Sequence, residues 1–319
     1  MSFSSEVKEE ILNINQPDNC CKLSGLCAVI NSIGQLSISK NGYTFSIVAD
    51  SIELIEKTKE LINALYSSKI SSIEIYTKSI GKTKIYETTM PSSVGADILK
   101  DAGILTLDSN NNFIINHGVD HHLILEDCCK KAYLQFIFLA TGTVSIPENN
   151  DINSKSRGYH LEIELNNNEQ AKIVASLLGE FGFIIRKVER NDKYVLYLKE
   201  SDSIADLIAF LGAKNSYLKL QNEIVERDLK NNINRQSNCM SANIDKTLNA
   251  SIKQLQAIDT IENTIGLNSL SADLQEIVLL RKNNPESSLI ELMEIYKKPI
   301  TKSGLSYKLN RLVEIAKNL

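Results

Sequence analysis

The sequence predicts an α+β fold: a duplicated α-β-β-α-β-β domain with pseudo-two-fold symmetry, followed by an all-α region. Three observations carry that expectation. CCKLSGLCAVINSIGQLSI at 20–38 returns as CCKKAYLQFIFLATGTVSI at 128–146, with seven of nineteen positions identical at a fixed offset of 108 residues. Behind each copy the apolar spacing switches from helical to strand-like in the same order. From residue 222 onward almost no strand signal remains and apolar residues recur at helical steps.

In the first copy, Leu23, Leu26, Val29, Ile30 and Ile33 recur at three- and four-residue steps, which marks a helix. Gly34 is expected to end it in a left-handed conformation. Leu36–Ser39 and Tyr43–Val48 read as strands joined by a turn at Asn41-Gly42. Ile52–Tyr66 reads as an amphipathic helix, and Ile70–Tyr76 and Lys82–Thr88 as further strands. The second copy predicts a helix over 128–141, strands near 143–146 and 158–165, a helix over 168–181, and strands over 183–189 and 193–199. The expected division is a repeat domain over 1–220 (copies at about 20–90 and 128–212) and a helical domain over 221–319.

In the helical part, Leu248, Ile252, Leu255, Ile258 and Ile261 place a helix over Asp245–Ile265, and a second runs over Ser271–Lys282. Ser288, with Glu291 three residues on, has the spacing of a capping box and opens a third. KKPI breaks that helix, and a last one starts near Lys302 with Leu305, Leu309, Leu312 and Ala316 facing inward. Two short helices joined by a tight connection fit a helix-turn-helix.

Charge points the same way. The net charge is −4, yet residues 297–319 hold six Lys/Arg against one Glu, which leaves −9 on the rest. Positive charge gathered at one end suits contact with double-stranded DNA. On the last helix, Ser303, Tyr307, Asn310 and Arg311 lie away from the leucines. Asn310 and Arg311 are expected to read base edges, and Lys297, Lys298, Lys302 and Lys308 to hold phosphates.

An apolar helix that ends at Gly and opens an α-β-β-α-β-β unit resembles the LAGLIDADG homing endonucleases. The resemblance aligns Leu26–Gly34 and Leu134–Gly142 with their signature helices. That family carries a metal-binding carboxylate just before the final Gly, where this chain has Ile33 and Thr141. Neither side chain supplies the hard anionic oxygen that Mg²⁺ requires, which argues against cleavage.

The whole chain resembles the WhiA family of bacterial regulators. The resemblance rests on Ser2-Phe3 with Val7-Lys8-Glu9-Glu10, both Cys-Cys helices, Tyr133-Leu134 with Phe138–Gly142, Asn234-Arg235 with Asn238-Cys239 and Ala242-Asn243, Asn284–Leu289, and Thr301–Gly304. It implies a transcription factor of sporulation or cell division, bound to promoter DNA and without nuclease activity. The family usually has a basic residue where Asn31 stands and Arg-Gly where Gln135-Phe136 stands, so a nucleic-acid contact of the repeat domain is in doubt. With its acidic balance, that domain is expected to pack internally or meet a protein co-regulator. The competing readings are a divergent metal-dependent endonuclease using Glu162 or Asp50, and a protein-interaction module of cell division or chromosome segregation.

Other features receive plainer readings. HGVDHH (117–122), with Glu126 and Asp127, lacks a recognised zinc spacing, so His117, His121 and His122 are expected in a polar connection between repeats. The pairs Cys20/Cys21 and Cys128/Cys129 are expected as buried reduced thiols in helix packing, with a structural zinc or a disulfide pair as the alternatives. Arg235 is read as structural before it is read as a DNA contact. Neither GxxxxGK[ST] nor GxGxxG occurs, so no cofactor is expected. With no run of 18 apolar residues and no signal-like start, a cytoplasmic, nucleoid-associated monomer is expected, with no membrane partner.

Overall fold

The computed structural model describes residues 2–39, 42–67, 73–80, 83–147 and 158–319. Contacts divide the chain into two compact units, 1–225 and 226–319.

The first unit opens with α1 (Phe3–Leu12), capped by the Ser2 side chain on the Ser5 amide, with Phe3, Val7 and Ile11 buried. The first repeat follows: α2 (Asn19–Ile33), β1 (Gly34–Ser39), β2 (Gly42–Ala49), α3 (Ile52–Tyr66), β3 (Tyr76–Ile80), β4 (Thr83–Thr89) and α4 (Ser92–Asp101). A two-stranded ribbon, β5 (Leu105–Leu107) with β6 (Phe113–Ile115), and a 3₁₀ turn at His121–Ile124 lead to the second. That repeat runs α5 (Asp127–Thr141), β7 (Gly142–Ser145), β8 (His160–Leu165), α6 (Asn168–Glu180), β9 (Arg186–Arg190), β10 (Lys193–Leu198) and α7 (Ser201–Leu211). The two antiparallel sheets have equivalent orders, β1-β2-β4-β3 and β7-β8-β10-β9, so the duplication is structural as well as textual. Each copy carries one helix more than the expected unit, α4 and α7. Their apolar residues (Val94, Ile98, Leu99; Ile204, Leu207, Ile208, Leu211) enter the common core.

The two signature helices, α2 and α5, pack against each other and are buried almost throughout. Small residues on one meet large ones on the other: a Cβ at Gly25 would lie 2.5 Å from the Phe136 ring. Polar ties stitch the copies together. Ser24 Oγ donates to the Cys129 carbonyl at 2.8 Å, and Gln170 Nε2 donates to Ser32 Oγ at 3.2 Å.

Several expectations change. Gly34 and Gly142 are extended (φ −76° and −79°), not left-handed. Glycine stands there because the strand leaves the helix so sharply that a Cβ would fall inside 3.0 Å of the Ile30 carbonyl at Gly34 and of the Phe138 carbonyl and ring at Gly142. The strand expected over Ile70–Tyr76 instead starts at Tyr76, because its register is set by pairing of Tyr76 with Glu87; residues 68–72 lie outside the described residues, as do Asn41 and Lys82.

The helix expected over Asp245–Ile265 is one helix, α8, from Lys214 to Thr264. Its 51 residues contain neither Gly nor Pro. Gly212 (φ +104°) and Gly266 (φ +76°) stand just outside its ends. Its start is capped from far away: the Glu10 carboxylate accepts from the amides of Asn215 (2.8 Å) and Ser216 (2.7 Å). Among the described residues no helix is long and apolar enough to cross a membrane.

In the second unit, α9 (Ala272–Asn283), α10 (Leu289–Ile295) and α11 (Lys302–Lys317) pack with the end of α8 around Ile258, Ile261, Ile277, Val278, Leu292, Leu305, Leu309 and Leu312.

Candidate nucleic-acid interface

The candidate interface is built on α10, α11 and the six residues between them. Ser288 caps α10 with the full reciprocal box: its hydroxyl accepts from the Glu291 amide (3.3 Å), and its own amide donates to the Glu291 carboxylate (2.6 Å). The fixed φ of Pro299 keeps the connection from continuing as helix, and Ile300 tucks against the core. Thr301 then caps α11, its hydroxyl accepting from the Gly304 amide at 3.1 Å. Burial of Leu305, Leu309 and Leu312 fixes the rotation of α11, which leaves Lys302, Ser303, Tyr307, Asn310 and Arg311 exposed. Tyr307 stands well out into solvent, at 71% exposure.

The cations divide into two groups. Lys297 and Lys302 are exposed and make no ion pair among the described residues. Lys298 is held between both oxygens of Glu276 (2.6 and 2.7 Å), whose carboxylate also accepts from the Tyr296 hydroxyl at 3.1 Å. Lys308 pairs with Asp273, and Arg311 reaches Glu314 at 3.2 Å on its own helix. The Lys308 and Lys298 hydrogen bonds hold the Asp273 and Glu276 carboxyls below their ordinary values. Two of the four expected phosphate ligands are therefore already committed to α9. The sequence carries the acids in plain sight, three residues apart in SADLQEIV, but not their partners.

Lys302 and Asn310 also border a groove of about 540 Å³ shared with Asn243 and Lys246 of α8. Arg281 also lines it, 2% exposed and without a carboxylate partner among the described residues. Its guanidinium donates to the carbonyls of Ser287 (2.8 Å) and Asn284 (3.3 Å), while Ser251 Oγ donates to the Pro285 carbonyl. These bonds account for the Asn284–Leu289 stretch: it is the α9–α10 loop, and its carbonyls are the counterpart of a buried cation. Burial lowers the Arg281 pKa. Periodicity gave no sign of Arg281, since nothing local marks a cation as buried.

Of the positions singled out in the repeat domain, those on the signature helices bond inward. Asn31 Nδ2 donates to the Gly118 carbonyl at 3.2 Å. Gln135, 3% exposed, donates to the Leu211 carbonyl (2.7 Å) and accepts from Gln16 (2.8 Å). Thr141 bonds back to the Ile137 carbonyl at 3.1 Å. Glu162 faces His160 at 3.0 Å, and Asp50 is exposed at the end of β2. His117, His121 and His122 are exposed; His122 pairs with Asp120 at 2.8 Å, and the three do not join in a ligand cluster among the described residues. Arg235 lies exposed on α8.

Comparison with known proteins covers the chain from end to end. Residues 19–105 match the WhiA N-terminal LAGLIDADG-like domain, 130–230 the WhiA LAGLIDADG-like domain, and 233–316 the WhiA C-terminal HTH domain. A probable cell division protein WhiA from Heliobacterium modesticaldum is 32% identical, covering 99% of this chain and 96% of that protein. One from Alkaliphilus oremlandii is 33% identical, covering 100% and 98%. The crystal structure of full-length DUF199/WhiA from Thermatoga maritima superposes with a TM-score of 0.59 at 24% identity over 100% of this chain and 99% of that one, and shares the fold. With two degenerate signature helices, a capped helix-turn-helix and full-length relatives above 30% identity, the chain belongs to the WhiA family.

Proposed function

We propose that this protein is a sequence-specific DNA-binding transcriptional regulator of cell division and sporulation, without nuclease activity. The observation that carries the reading is the exposed face of α11. Lys302, Ser303, Tyr307, Asn310 and Arg311 project from one well-capped helix whose opposite side is locked into a core. The early part of such a helix enters a major groove, where Arg and Asn make bidentate contacts to guanine and adenine edges. The free ammonium groups of Lys297 and Lys302 sit at its start, where backbone phosphates would pass. The relatives' printed name supports the cell-division part, and the wider family resemblance supports sporulation.

Chemistry supports the absence of cleavage. Where the endonucleases carry a carboxylate at the foot of each signature helix, Ile33 and Thr141 stand, and the Thr141 hydroxyl is spent on its own helix. The inward bonds of Asn31 and Gln135 support an internal role for the repeat domain.

The test is crosslinking and sequencing of bound DNA in the host, comparing wild type with Lys302→Ala/Tyr307→Ala/Arg311→Ala. Discrete promoter peaks that vanish in the variant are expected. Peaks that survive it would move recognition off α11. A supercoiled plasmid incubated with the purified protein and Mg²⁺ or Mn²⁺ should stay intact; nicking that requires Glu162 or Asp50 would restore the endonuclease reading.

A further inference from the structure

Both signature helices open with adjacent cysteines, and the packing of α2 on α5 brings the two pairs together. Cys21 and Cys129 are buried, at 0% and 2% exposure, with their sulfurs 3.8 Å apart. Cys20 and Cys128, expected to be buried, are instead exposed beside them, because one residue along a helix turns the side chain about 100° off the buried face. The ligand atoms of Cys20, Cys21 and Cys129 all lie within 4.8 Å of one another, and so do those of Cys21, Cys128 and Asp18. We propose that Cys20, Cys21, Cys128 and Cys129 form a thiolate site for a thiophilic divalent cation, Zn²⁺ foremost, that clamps the two halves of the repeat domain at its pseudo-two-fold axis.

Geometry favours a metal over a direct bond. With Zn–S near 2.3 Å, two sulfurs on a tetrahedral ion stand about 3.8 Å apart. The separation of Cys21 and Cys129 matches that edge, whereas a disulfide needs about 2.0 Å. The two buried sulfurs are anchored by packing against Ala132. The two exposed cysteines can turn in to complete the set and give the ion an entry path from solvent. Four soft donors select Zn²⁺ over Mg²⁺ or Ca²⁺.

All four cysteines lie in the first turns of α2 and α5, the helix ends whose dipole favours negative charge. Neither N-cap residue, Asp18 or Glu126, makes a side-chain cap hydrogen bond, so the amides of those turns are not satisfied in the usual way. Without a cation the Cys21 thiol keeps its proton, since burial pushes it up to about 12. On binding, each thiol releases its proton to solvent as its sulfur lone pair joins the metal. One Zn²⁺ and four thiols thus give a centre of net charge −2 and four free protons, with no redox change.

The test uses the full chain, purified under reducing conditions and titrated with Zn²⁺ and with Co²⁺ as a spectroscopic probe. Native mass spectrometry should find one Zn²⁺ per chain, and Co²⁺ should give the intense ligand-field and charge-transfer bands of tetrahedral thiolate. Cys20→Ser/Cys128→Ser, which alters only exposed positions, should lose those bands while keeping the circular dichroism of the wild type. Cys239→Ser, on α8, should keep them. A wild type that binds no more metal than the four-serine variant would overturn the proposal, as would Co²⁺ bands that survive in Cys20→Ser/Cys128→Ser. Thiol counting that finds disulfides among these four residues instead of bound metal would overturn it equally.

Discussion

If Lys298 and Lys308 are held by α9, freeing them should change how the protein meets DNA. The perturbation is Asp273→Asn with Glu276→Gln. In the native chain Lys298 is gripped by both oxygens of Glu276, and Lys308, with its side chain 27% exposed, is paired with Asp273. Both pairs are open enough for water and salt to screen them, so their loss should leave the fold intact. Each freed lysine can then neutralise one more phosphate. Counterion release steepens the dependence of log K on log salt by about 0.9 per phosphate, so two lysines add about 1.8 to the slope. Over a fourfold rise in salt, that added slope alone weakens binding by about 12-fold more than in the wild type. The assay is fluorescence anisotropy on a labelled duplex across a salt series. Glu286→Gln/Glu294→Gln is the control: it removes equal charge from exposed positions that make no ion pair among the described residues. It should shift affinity through the general field without changing the slope. Parallel salt plots for all three proteins would refute the reasoning, because the lysines would then already leave α9 when DNA binds.

Three further outcomes follow from the same contacts. Gln135→Leu leaves the buried Leu211 carbonyl and the Gln16 amide without their partner, and should destabilise the repeat domain by about 1–3 kcal/mol in urea unfolding. Gly34→Ala drives a Cβ into the Ile30 carbonyl, which is backbone and cannot swing aside; a loss of about 1–3 kcal/mol is expected by the same measurement. The Asp273 and Glu276 carboxyls are depressed below their ordinary values of 3.8 and 4.5, first by the Lys308 and Lys298 hydrogen bonds, so the stability they add is complete above those values and is lost as pH falls through the lower folded ones. Thermal melts of wild type and Asp273→Asn/Glu276→Gln should therefore keep a constant separation down to about pH 5 and converge below the ordinary carboxylate range.

What the sequence determined by itself is what local rules express. The duplication, the α-β-β-α-β-β core of each copy, the Ser288–Glu291 box and the inward leucines of α11 are all patterns legible along the chain, and each is borne out, whereas α4, α7 and the full length of α8 went unread. Missing carboxylates at positions 33 and 141 are equally plain to read. Tertiary structure decided the rest, because its determinants lie far apart along the chain. Glu10 caps a helix that begins 204 residues later, Gln135 locks the end of α7, and Asp273 and Glu276 occupy lysines that composition alone presents as free. The glycines closing the signature helices are legible as constraints, but only the path of the strand shows that the constraint is a carbonyl and not a left-handed turn. The two Cys-Cys pairs make the same point: each is an ordinary helix start until the helices pack, and the packing sets the Cys21 and Cys129 sulfurs 3.8 Å apart. Periodicity reports which face of an element is buried; only the fold reports what that face meets.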